Sequence, residues 1–390
     1  MPEELTLGYL NDFDRDLGIY QSDDAALENT IGESKVEHVI AGSEPGVELT
    51  DHLATRWKCP TRNVDALAAS RRHKIAMQRR VKQVGLHTAT SIEIRSSAEA
   101  KSAISSGLLS LPVVVKPPKS AGTDGVSICH NLQEMELSIE QLLNQYDRFH
   151  NLNDALLLQE FLYGEEYCVS AISAGGKHYF TDVWRYRKRS VSNTRVYECD
   201  ELLDPAAEQS VTALEYSNSV LCAVGIRWGP SHTELMLTSN GPRLIEVAAR
   251  LQGGVHPGAL TDALGCDPIR LAAAAFVAPA KLHSADWLTA RSLHFHQRRA
   301  SLVCVHLIAD AVGYLDIEYA VKCLEGSPTY FKGSFSPNVA PPYRVTKTVD
   351  LFSSPGFYYL TSVDKDQMWR DYEALRSAES NHFYRASPGR

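Results

Sequence analysis

Closely spaced cysteines are missing from this sequence. Its eight cysteines stand singly, with no CxxC pair. That excludes a disulfide framework or a cysteine zinc site and predicts reduced core thiols in a cytoplasmic protein. There is no polybasic run either, and the formal net charge is -8, so neither nucleic acid nor an anionic membrane is an expected partner. The longest apolar run, Leu271 to Ala280, falls well short of the roughly 20 residues that span a bilayer. It follows Asp267-Pro268, the form of an N-cap with a first-turn proline, and is expected to be a buried helix. The N-terminus lacks the basic-then-apolar profile of a signal peptide. Internal repeats and low-complexity segments are absent too.

What remains is the balance of an ordinary globular chain: 390 residues, 44% hydrophobic and 22% charged, enough for two or three domains around a large core. Helical spacing or composition predicts helices over 47–57, 71–84, 98–109, 134–146 and 213–224. Strands are expected at 36–40, 113–115, 126–129, 156–161, 166–173, 179–186, 231–238 and 243–247, with short strands and turns after 293. The mixture predicts an α+β protein of several lobes.

Three stretches carry chemistry. In "VVVKPPKSAGTDGVSICHN" a buried strand ends in Lys116 and runs into a loop of small residues, Ser120 to Gly125. Backbone amides of such a loop can wrap phosphate oxygens, and a lysine at its root adds charge. The spacing matches neither GxxxxGK[ST] nor GxGxxG, and a mobile surface hairpin is the rival reading, because these small residues bring few apolar contacts. In "LLLQEFLYGEEYCVS" an apolar strand ends at Gln159-Glu160, followed by Phe161, Leu162 and a glycine turn. A carboxylate there can accept from an adenine amino group between apolar flanks, and Glu165 or Glu166 can bind ribose hydroxyls; the alternative is a solvated acidic hairpin. In "SHTELMLTSNGPRLIEVAARLQGG" Glu234 and Glu246 sit on two strands of one hairpin, with Glu234 on the face of Met236. Two converging carboxylates repel unless a cation lies between them, and hard oxygen ligands suit Mg²⁺. Each is also readable as an ordinary exposed strand glutamate, yet an acid inside the apolar run of Glu246 needs a reason.

In this order the features resemble the ATP-grasp superfamily over about Arg71 to Gly254, and most of all its L-amino acid ligase branch, which joins a carboxylate to an amine as a dipeptide or related amide. "SLVCVHLIADAVGYLDIEY" is similar to the C-terminal region of those ligases. The resemblance implies an α+β ATP-grasp fold: a Rossmann-like N-terminal lobe (1–70), an ATP-grasp domain (71–280, lid about 110–163) and a C-terminal lobe (281–390). It implies that Lys74, Lys116, Ser120, Gly122, Thr123, Gly125 and Val126 hold the phosphates of ATP. Glu160, Phe161 and Leu162 would read adenine and Glu166 the ribose. Glu234 and Glu246 would hold Mg²⁺, for which Mn²⁺ can substitute, and Arg250 with Lys116 would act on the reacting carboxylate and phosphoryl group. Lys188 and Arg189, in "WRYRKRS", either add a phosphate contact or form a solvated basic hairpin.

The implied partners are small-molecule carboxylates and amines, and the implied assembly a homodimer. Two departures stand out. Ala248 occupies the position where many ATP-grasp proteins place asparagine, which bears on a second Mg²⁺. "MPEELTLGYLNDFDRDLG" does not have the form of a strand-glycine-helix unit, so the N-terminal lobe is shortened or the chain starts downstream of the natural start. The competing functions are other ATP-grasp chemistry (carboxylation, or acyl transfer to a carrier protein) and an ATP-binding module without catalysis. A protein kinase is set aside: there is no HRD or DFG, and the lysine precedes the glycine loop.

Overall fold

The computed structural model describes residues 17–32, 35–191, 194–254, 256–265, 267–283 and 298–387. A small antiparallel sheet holds β1 (Ser91–Ile94), β2 (Val113–Lys116), β3 (Ser127–Cys129) and β4 (Leu156–Glu160) in the order β1-β4-β2-β3. The helices Ser97–Ser105 and Leu132–Leu142 pack on it, sealing Ile94, Val113, Val115, Leu156 and Leu158. Asparagine at 131 caps the second helix by accepting from the Glu134 amide, and Ser96 caps the first in the same way. This small sheet with its helices therefore takes in β1 and the helix before β2 as well as strands between 113 and 160.

The large sheet joins β5 (Glu165–Ala174), β6 (Lys177–Val191), β7 (Thr194–Leu202), β8 (Gly229–Thr238), β9 (Gly241–Ala248), β10 (Ser301–His306), β12 (Tyr330–Phe335) and β14 (Gly356–Ser362). Their order is β12-β14-β10-β7-β6-β5-β8-β9, all antiparallel. Three short strands, β11 (Gly313–Leu315), β13 (Arg344–Val345) and β15 (Tyr384–Arg385), form a separate patch. Nearly every residue of β5 is buried, because both faces are covered. Tyr167, Val169 and Ala171 pack under the helices Lys74–Gln83 and Glu208–Ala223, while Cys168 lies with Trp184 and Tyr186 on the opposite face. The strands after residue 300 continue the same sheet, so one ladder of hydrogen bonds runs from the ATP-grasp segment into the C-terminal segment.

The helix Pro268–Val277 forms as expected, with Asp267 accepting from the amides of Ile269 and Arg270. Several readings need correction. Val36–Ile40 forms no strand; it runs without regular structure. A β-rich run needs a neighbour for its backbone groups, and no strand lies ahead of Ser91 among the described residues. The helix read over 71–84 starts instead at Lys74, and Arg71 ends a preceding 3₁₀ segment, Asp65–Arg71. The strand β7 was not anticipated. Among the described residues seven cysteines are free; Cys222 is exposed and Cys323 half-buried rather than in the core. Among the described residues no helix is long and apolar enough to cross a membrane.

Candidate active site

Residues of both sheets line a cleft of about 1010 Å³ that opens to solvent. Of the residues that the resemblance assigns to ATP, Mg²⁺ or the reacting acid, all but Gly125 lie on its wall. Two register slips shape it. On β9 the ladder skips Ile245, so that Glu246 pairs directly opposite Glu234 and both Ile245 and Glu246 face the cleft. On β7 it skips Glu198, which leaves Tyr197 opposite Lys188 on the cleft side. Such bulges re-aim side chains that strict alternation would point elsewhere.

At the floor, Lys74 donates to the Ser120 carbonyl at 2.5 Å and sits 2.9 Å from Glu246 Oε2. One lysine thus ties the glycine loop to the carboxylate pair. Burial pushes Lys116 down to about 8, helped by the charge of Lys74. Burial, and then the charge of Glu246, holds Glu234 well above the usual carboxylate range. Burial would lift Glu246 too, but the charge and hydrogen bond of Lys74 outweigh it and hold Glu246 below its ordinary value. His232 is driven down to about 3 by burial and by Arg250, and is neutral. Two buried, mutually repelling carboxylates side by side are a donor set suited to a divalent cation.

The nucleotide-side residues are placed with differences from the expected roles. Glu160 Oε1 already accepts from the Thr90 amide at 2.8 Å, leaving its other oxygen and the strand-end backbone for a ligand. Glu166 is bonded to Lys188 at 2.6 Å, and Lys188 also lies over the Tyr197 ring. Lys188 is therefore a cleft residue, whereas Arg189 points away and pairs with Asp310. Glu165 is also outside the cleft, accepting from Tyr167 and Arg185. Trp228, Gly229 and Pro230 line a separate groove against 39–63. His256 caps the helix Pro257–Leu264. Arg195 and Tyr197 line the cleft and were missed, because the charge-rich β7 was not read as a strand.

The glycine loop is less free than its composition suggests. Gly122, Thr123 and Gly125 take left-handed φ values of 63°, 63° and 68°. The Gly122 carbonyl accepts from the Leu351 amide at 3.1 Å, and a Cβ on Gly122 would lie 2.9 Å from the Phe352 ring. Gly125 faces Pro117 in the same way. Apolar contact comes from a distant segment, which local sequence does not announce. Gly122→Ala is therefore expected to weaken Mg·ATP binding about tenfold, since a left-handed non-glycine residue costs roughly 1–2 kcal/mol and the clash adds to it. Titration calorimetry should show part of the loss recovered in the double variant with Phe352→Ala. A double variant no better than the single one would mean that Phe352 does not hold the loop.

Two antiparallel sheets gripping one cleft, with lysines, a glycine loop and paired carboxylates, form an arrangement suited to a nucleoside triphosphate. Residues 109–257 match the ATP-grasp domain family. The chain is 31% identical over 381 residues to the dapdiamide A synthase of Enterobacter agglomerans, covering 95% of this chain and 88% of that protein. It is 28% identical over 122 residues to a D-alanine–D-alanine ligase of Pseudoalteromonas atlantica, 30% of this chain and 36% of the relative. Among solved structures, an L-amino acid ligase from Bacillus licheniformis superposes with a TM-score of 0.70 at 18% identity, covering 90% and 82% of the two chains. The chain belongs to the ATP-grasp family. It is an ATP-dependent carboxylate–amine ligase, forming a carbon–nitrogen bond between small molecules.

Proposed function

We propose that the enzyme activates a carboxylate as an acyl phosphate and transfers the acyl group to an amine, that an amino acid is one of the two substrates, and that the product is an amide or dipeptide. The observation that carries this reading is the convergence of Glu234, Glu246, Lys74, Lys116 and Arg250 on one cleft wall. The names of the dapdiamide A synthase relative and of the L-amino acid ligase neighbour support the choice of substrate class. Free thiols and the demand for ATP fit a cytoplasmic setting.

In the first step a carboxylate oxygen attacks the γ-phosphorus and the bond to the β-phosphate oxygen breaks, releasing ADP. In the second the amine nitrogen attacks the acyl carbon, the carbon–oxygen bond to phosphate breaks, and the nitrogen loses a proton. Little covalent work falls to the protein; it positions groups and neutralises charge. Lys74, Lys116 and the amides of the 120–126 loop hold phosphate oxygens. Glu160, Phe161 and Leu162 meet adenine, and Glu166 the ribose. Arg250 holds the carboxylate and then the oxyanion of the tetrahedral intermediate. Glu234 and Glu246 would hold Mg²⁺, which when bound neutralises charge on the phosphates. Ala248 is fully buried and its side chain offers no ligand atom, so that side chain would not help to hold a second cation.

A matrix of amino acids and small carboxylic acids, assayed for phosphate release from Mg·ATP, tests the reading. Chromatography of the spent nucleotide is expected to show ADP with inorganic phosphate. AMP as the main product would refute an acyl phosphate.

A further inference from the structure

Glu44 lies in the turn Gly42–Gly46, ahead of the helix Gly46–Arg56, and is almost fully buried at 5% exposure. Far from β9 in sequence, it reaches the cleft arginine: its Oε2 accepts from Arg250 Nε at 2.6 Å. Arg250 Nη1 donates to the Leu251 carbonyl at 2.8 Å. Two of the three guanidinium nitrogens are thereby fixed by the protein, while Nη2 bonds to no described residue and the side chain lines the cleft. The second Glu44 oxygen is 3.3 Å from Arg72 Nη1, and Arg72 is itself buried. One carboxylate therefore sits between two guanidinium groups, and the trio carries a net positive charge.

We propose that Glu44 is the positioning residue of the acid subsite: it holds Arg250 by Nε so that Nη2 is presented to the reacting carboxylate. This rests on the reading of Arg250 given above. The physical reason is competition. Arg250 bears electrostatically on both Glu234 and Glu246, and a guanidinium without another anchor would be drawn onto that carboxylate pair. There it would oppose metal binding and leave the acid unheld. A carboxylate on the opposite side, charged and close, keeps it off them, and the rigid planar fork converts one fixed edge into a fixed direction for the other. The segment ahead of the ATP-grasp domain thus completes the site, although none of its described residues lines the cleft.

The test uses Glu44→Gln, which keeps the shape and loses the charge, and Glu44→Asp, which keeps the charge. The assay pair is the acid and amine that release most phosphate in the matrix above. Glu44→Gln is expected to lower kcat about tenfold and raise the acid KM severalfold, with the ATP KM within about twofold of wild type. The ratio of phosphate released to amide formed should rise above one, because an acyl phosphate whose acyl group is poorly held is lost to water. Glu44→Asp should regain part of kcat. Unchanged kcat, acid KM and coupling ratio in a folded Glu44→Gln protein overturn the proposal. So does an equal loss of ATP and acid affinity, which marks a merely structural pair. If Arg250→Lys is fully active, the parent reading of Arg250 falls instead, whatever Glu44 does.

Discussion

Glu246→Gln is expected to cut turnover by about 1000-fold or more, the loss of several kcal/mol of charge stabilisation at the transferring phosphoryl group, while the protein stays folded. Glutamine keeps the volume of the side chain and an oxygen that can still accept from Lys74, now 2.9 Å from Glu246 Oε2. What disappears is the negative charge of one of two carboxyl groups placed directly opposite each other on β8 and β9. Stopped-flow or discontinuous phosphate release, with a thermal melt as control, decides it. A variant with wild-type melting and near-full activity would make Glu246 an ordinary strand residue. A pH signature accompanies the prediction. Burial and Glu246 keep Glu234 protonated above the usual carboxylate range, so cation binding to the wild type must displace a proton and tightens as pH rises. The opposite limit comes from Lys116: its charge is lost as pH climbs through about 8, and the grip of the free enzyme on phosphate weakens there. In Glu246→Gln the second of the causes that lift Glu234 is gone, and proton release on adding Mg·ATP should shrink. Calorimetry in two buffers of different ionisation enthalpy measures it.

Arg250→Lys is expected to lose about 100-fold in kcat/KM for the acid, in the range seen when one oxyanion donor is removed, with the ATP KM little changed. A lysine presents one compact charge, and the nearest buried anion is Glu44, which now holds Nε at 2.6 Å. The ammonium would settle on Glu44, and nothing would replace Nη2 in the cleft. The guanidinium can serve both sides at once because its donors form a fixed fork. Should the lysine variant bind ATP poorly but turn over bound substrate normally, the arginine belongs to the nucleotide.

Much of the lining of the cleft was legible because it is local. Lys116 at a strand end, the small-residue loop and Glu160-Phe161-Leu162 each fall within one element and its turn, so short-range pattern carries them to one wall. Strand periodicity likewise placed Glu234 with Met236. Other features were set by contacts between segments distant in sequence. The slip at Ile245 that brings Glu246 opposite Glu234 depends on the pairing of two strands, not on either alone. Val36–Ile40 has strand composition but no neighbour to bond. Phe352 against Gly122, and Glu44 against Arg250, join positions whose sequence surroundings say nothing of each other. By itself the sequence determined which side chains bear charge, which turns are built of small residues and which segments bury one face. Tertiary structure alone decided which charges are neutralised and which remain free for a ligand, because a buried ion pair is specified by where two backbones meet and leaves no period in either strand.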